Sequence, residues 1–104
     1  MDPIDEMSEV LKLLSDKTRL TILALLKERE LCVCDIVELL ETSQPNISQH
    51  LRKLKLGGLV HETRRSQWIY YSLNLESRPY LQTVIDQLPS MKEKLVGRAN
   101  STCD

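Results

Sequence analysis

The chain has 104 residues, of which 41% are hydrophobic, 28% charged and 4% aromatic. That length suits one domain with a single core, and no apolar run approaches the ~20 residues of a membrane-spanning helix. The net charge of -1 argues against a nucleic-acid binder only as a whole-chain figure, because residues 1–41 carry -5, residues 42–75 carry +4 and residues 76–104 balance. The basic excess falls on Arg52, Lys53, Lys55, Arg64 and Arg65 against Glu62 alone. It has the footprint of a phosphate-binding surface, although a solvated charged face would carry the same charges. The acidic start, Asp2-Pro3-Ile4-Asp5-Glu6, lacks the basic-then-apolar order of a secretory signal, so the expected compartment is the cytoplasm, where thiols stay reduced. Of three cysteines, Cys32 and Cys34 are one residue apart, a poor disulfide framework and a better thiolate ligand set.

In chain order, Ile4, Met7, Val10, Leu11 and Leu14 recur at helical spacing after Pro3 and predict a first amphipathic helix. Ser15-Asp16 breaks and caps, and the dense apolar set Leu20, Ile22, Leu23, Leu25 and Leu26 predicts a buried second helix. A short third helix is expected from about Val33 to Leu40, with Ile36, Leu39 and Leu40 inward and the two cysteines at its entrance. Thr42-Ser43-Gln44-Pro45 reads as turn, N-cap and first turn of a fourth helix that ends at Gly57-Gly58.

At ~100° per residue, Ile47, Leu51 and Leu54 share one face of that fourth helix, and Asn46, Gln49, Arg52 and Lys53 the other. Amides can read adenine and a guanidinium can hold guanine or phosphate. The candidate DNA-contact set is Ser43, Gln44, Asn46, Ser48, Gln49, His50, Arg52 and Lys53. Two β-prone runs, Leu59–Arg64 and Trp68–Leu73, flank Arg65-Ser66-Gln67 and predict a hairpin, with Arg64 and Arg65 near its tip placed for phosphate or the minor groove. Trp68, Tyr70 and Tyr71 are read as sheet packing. A last helix is expected from Ser77, with Tyr80, Leu81, Val84, Ile85 and Leu88 on one face and Pro89 as a break or kink. The predicted fold is mainly α with a β-hairpin wing (α+β), a winged helix-turn-helix of order ααααββα. Residues 1–96 form the domain and residues 97–104 a flexible tail. Because such a unit has its core without the terminal helices, the first and last helices are the expected surface of a homodimer that binds palindromic double-stranded DNA.

The stretches Glu30–Ile36, Ser43–Leu51, Gly58-Leu59-Val60 and Trp68–Leu73 resemble the ArsR/SmtB family of metal-responsive winged-helix repressors over nearly the whole chain. The resemblance implies dimeric repressors that leave their operator when metal binds. The block around Cys32 and Cys34 is similar to both arsenite/antimonite and cadmium/lead repressors. Soft thiolates suit these ions and copper(I), and without a histidine cluster zinc and nickel are disfavoured. Family members that sense zinc on the last helix use histidines there, whereas this one has Asp86 and Glu93 but no histidine. The family's cadmium/lead repressors of the third-helix type draw further cysteines from the N-terminal arm, and this arm has none.

Arsenite or antimonite is thus the expected inducer, with cadmium or lead as the alternative and no obligatory cofactor. Some arsenite repressors of the family have a third cysteine at the position of Val37, so Cys103, glutathione or hydroxide would complete a three-coordinate site. In an ideal helix residues i and i+2 point about 200° apart, while two sulfurs on one ion must lie within about 4 Å. Ligand binding is therefore expected to distort the first turn of the third helix. A thiol redox or persulfide sensor using Cys32, Cys34 and Cys103 is the other regulatory reading, with Asp35 opposing thiolate formation. No phosphate loop or nucleophile–base constellation points to an enzyme.

Overall fold

A computed structural model describes residues 2–76 and 78–96; the tail expected at 97–104, and with it Cys103, lies outside the described residues. Helix α1 (Pro3–Leu14) begins where Asp2 accepts hydrogen bonds from the backbone N–H of Ile4, at 2.7 Å, and of Asp5. Helix α2 (Lys17–Glu28) is capped by the Asp16 carboxylate, which accepts from the Arg19 N–H at 2.9 Å. As its apolar density predicts, α2 is the centre of the domain, with Ile22, Leu23 and Leu25 at 0% exposure.

A two-residue strand, β1 (Leu31–Cys32), then leads directly into α3 (Val33–Leu40). Helix α3 stops at Glu41, whose left-handed backbone (φ 51°) turns the chain so that the Thr42 N–H reaches the Val37 carbonyl at 3.3 Å. The chain re-enters a helix at Ser43, whose hydroxyl accepts from the Asn46 N–H, and α4 (Gln44–Leu56) follows. That is the expected helix-turn-helix. Ile47, Leu51 and Leu54 of α4 are fully buried. Gly57 caps α4, and Gly58 takes φ 78° to send the chain into the hairpin.

Strands β2 (Val60–Arg65) and β3 (Trp68–Leu73) pair antiparallel through Ser66-Gln67, in which Ser66 takes φ 59°. The hairpin is the predicted wing, but the sheet has three strands in the order β1-β3-β2, with Leu31 opposite Tyr71 and Cys32 opposite Tyr70. The extra strand left no periodic signal, because two residues cannot alternate and its partner lies some forty positions later.

The last helix is divided into α5 (Pro79–Asp86) and α6 (Lys92–Leu95), Pro89 falling in the break. Glu28 at the end of α2 accepts from the Met91 N–H at 3.1 Å and holds the restart. The expectation that the unit has its core without the last helix is overturned: Leu81 and Ile85 are 0% and 1% exposed and complete the core against α2. The apolar face left open among the described residues is that of α1, with Ile4 at 78%, Met7 at 41% and Leu11 at 43% exposure. No described helix is long and apolar enough to cross a membrane.

Asp16 also gives a stability prediction. The hydrogen bond from the Arg19 N–H, with the Arg19 and His50 charges, holds its carboxyl below the usual carboxylate range. A lowered value means that the cap stabilises fully above that range and is lost as pH falls through the lowered value. Asp16→Ala should cost about 1 kcal/mol near neutrality. In thermal melts the gap between variant and wild type should hold constant from pH ~7 down to ~5 and begin to narrow only below ~4, the ordinary carboxylate value.

Candidate sensor and nucleic-acid interface

The geometry of the two thiols follows from where α3 begins. Cys32 is its N-cap, with extended backbone (φ −83°, ψ 162°), while Cys34 lies in the first helical turn. The helical separation of i and i+2 therefore does not apply, and the two Sγ atoms lie 2.9 Å apart. Distortion of the helix is not needed to bring them together, contrary to the expectation from an ideal helix. The β1 pairing that holds Cys32 opposite Tyr70 supplies the missing constraint.

Cys32 is 1% exposed, Cys34 reaches the surface, and the Asp35 side chain is buried beside them. One carboxylate oxygen of Asp35 and the two sulfurs all lie within 4.8 Å of one another. Sequence reasoning had given Asp35 no ligand role. Val37, one turn on, is half-buried in the edge of the core and offers no donor.

The two cysteines line a cavity of about 220 Å³ whose other walls are Val33, Gln44 of α4, and Gln67, Trp68 and Ile69 of the wing. The sulfurs thus share a cavity with the first residue of α4 and with the turn of the hairpin. Trp68, read as sheet packing, is half-buried there.

Ser43, the N-cap of α4, and Gln44, Gln49, Arg52 and Lys53 on the helix are exposed, with Asn46 and Ser48 half-buried near its start. Gln44 donates to the Ser48 hydroxyl at 2.8 Å and Asn46 to Thr42 at 3.2 Å, so the polar residues of the first turn are held in place. His50 is placed apart from this group: its Nδ1 lies 3.2 Å from Arg19 and 3.9 Å from Asp16, which ties α4 to the start of α2.

Two cations that the sequence left free are partnered. Lys55 donates to Glu62 at 2.7 Å, and the Tyr71 hydroxyl donates to the other oxygen of the same carboxylate. Lys55 first, then Tyr71, holds the Glu62 carboxyl below its ordinary range. Burial, with the Glu62 contact, pushes the Tyr71 phenol up. Glu62, the lone acid of the basic segment, therefore joins the end of α4 to the wing. Arg65 is paired with Glu30, while Arg64 is exposed on β2.

The profile of the family "Bacterial regulatory protein, arsR family" matches residues 16–62, from the cap of α2 into β2. An arsenical resistance operon repressor of Escherichia coli (strain K12) is 40% identical over 80 residues, 76% of this chain and 68% of that relative. The chain belongs to the arsR family. A CadC homolog of Staphylococcus aureus, a cadmium resistance transcriptional regulatory protein, is 42% identical over 76 residues, 72% of this chain and 62% of that relative. Among solved structures, reduced HlyU from Vibrio cholerae N16961 superposes with a TM-score of 0.70 at 33% identity, over 79% of this chain and 83% of that one. The ArsR-family profile spans both cysteines and the whole helix-turn-helix. Because the relatives' names cite both arsenic and cadmium, family membership leaves the ion to the chemistry of the donors.

Proposed function

We propose that the chain is a transcriptional repressor that holds palindromic operator DNA with α4 and the wing, and releases it when trivalent arsenic or antimony binds Cys32 and Cys34. The observation that carries this reading is the shared cavity, in which the two thiols meet Gln44 at the start of α4 and Gln67 at the wing turn. With arsenous acid, each thiol displaces one hydroxide of As(OH)₃ as water, forming two As–S bonds with no change of oxidation state. Hydroxide, an external thiol or Cys103 completes the third position. The ligand then occupies space bounded by both DNA-reading elements and shifts them against each other, so ligand and operator compete through a coupling free energy.

The DNA-contact set is Ser43, Gln44, Asn46, Ser48, Gln49, Arg52, Lys53, Arg64 and Arg65, with His50 acting through the placement of α4. Two such units related by a twofold axis match two half-sites of a palindrome. The open α1 face, with the half-buried Tyr80, Val84 and Leu88 of the C-terminal segment, is the proposed homodimer contact. Arg52→Ala should weaken operator binding about tenfold, the scale of one good base or phosphate contact, as read by fluorescence anisotropy.

Cadmium or lead is the second reading. It is favoured by the Asp35 oxygen beside the two sulfurs, a mixed donor set that suits a divalent ion better than arsenic. Anisotropy of a labelled operator under reducing conditions, titrated with arsenite, antimonite, cadmium and zinc, separates the two. Release by arsenite and antimonite at the lowest concentrations supports the first, and release by cadmium alone replaces it with the second.

A further inference from the structure

Arg65 is the last residue of β2, at the wing tip, yet its side chain does not extend from the tip. It crosses the neighbouring strand β3, with its guanidinium carbon 4.9 Å from the centre of the Tyr70 ring, and ends on Glu30 beyond. Both terminal nitrogens are used, Nη1 at 2.5 Å from Oε1 and Nη2 at 3.1 Å from Oε2. Such a fork is the geometry with which arginine grips a phosphate, and here a carboxylate fills it. Glu30 immediately precedes β1, and Tyr70 is the register partner of Cys32, so the clasp is built on the strand that carries the first sensor thiol. Nothing about Glu30 in the sequence announces this, since its partner lies 35 positions away.

We infer that Glu30 is a positioning residue that competes with the DNA backbone for Arg65. The inference rests on the reading of the wing as a DNA contact and is independent of which ion is sensed. The guanidinium and carboxylate side chains are 55% and 31% exposed. An ion pair this open to water is weak enough to exchange for a phosphate without disturbing the fold. While Glu30 holds the fork, the arginine is neutralised within the protein and releases no counterion on meeting DNA. Once freed, it adds one phosphate contact. The clasp thus lowers operator affinity, and it does so from the residue next to the sensor strand.

The test is a double-mutant cycle of Glu30→Gln and Arg65→Ala, read by operator anisotropy across a salt series without inducer. Glu30→Gln should tighten binding about threefold and steepen the slope of log K against log salt by up to about 0.9. Arg65→Ala should weaken binding about threefold in the wild-type background and about tenfold in the Glu30→Gln background. If Glu30→Gln tightens binding equally in the Arg65→Ala background, the effect is general loss of negative charge and the clasp is overturned while the wing contact stands. If Arg65→Ala changes nothing in either background, the wing contact itself is overturned, and the clasp with it.

Discussion

Cys34→Ser is expected to lose arsenite binding by about 100-fold or more while holding operator DNA within about twofold of the wild type. The first figure follows from chelation: the second thiol acts at high effective concentration once the first is bound, and a serine oxygen is a hard, weak donor for a soft ion. The second follows from placement, since Cys34 lies in the first turn of α3 and outside the exposed polar face of α4. Cys34 is the better position to change, because Cys32 is buried at 1% exposure and its replacement would place a hydroxyl in the core. The chain's single tryptophan supplies the readout, as Trp68 lines the same cavity as the two sulfurs. Titration of its fluorescence with arsenite should saturate in the wild type and stay flat in the variant over the same range. Equal affinities would remove Cys34 from the site.

Leu51→Ala should have the largest effect on stability. Leu51 is 0% exposed on the inner face of α4, in the cluster formed with α2 and α3. Truncating a leucine in such a site costs about 2–5 kcal/mol, with the cavity it leaves included. Arg52 is the next residue but faces solvent, so Arg52→Ala should leave stability within about 0.5 kcal/mol. Urea denaturation of the two variants at one protein concentration checks the contrast. A loss below about 1 kcal/mol for Leu51→Ala would mean that α4 is not seated on the core as described.

These adjacent positions also show why so much of the fold was legible. Helices longer than two turns announce themselves by apolar spacing, and Pro3, Asp16 and Ser43 mark where three of them start. Trp68–Leu73 was readable from β-propensity, and Gly57-Gly58 from the need to stop a helix and turn. What escaped was whatever depends on a distant partner. Strand β1 exists because β3 is there to pair with it, and that pairing puts Cys32 outside the helix and beside Cys34. The two ion pairs that engage Lys55 and Arg65 join residues 7 and 35 positions apart, so counting charges located the basic segment but overstated how many of its cations are free. The share of the last helix in the core was missed for the same reason. Leu81 and Ile85 have the spacing of any amphipathic helix, and only packing against α2 decides which side of it is inside.

The central claim is that the ion at Cys32 and Cys34 and the operator bind in competition through one coupling free energy. Linkage makes this testable in a single pair of titrations: arsenite affinity measured with and without saturating operator DNA, under reducing conditions. If ligand binding weakens operator affinity by some factor, saturating DNA must weaken arsenite affinity by the same factor, and about 5- to 150-fold is the usual range for such coupling. The account predicts this matched loss in the wild type. Arsenite affinity unchanged by DNA would contradict it, showing that the thiol site and the DNA-reading elements are not coupled.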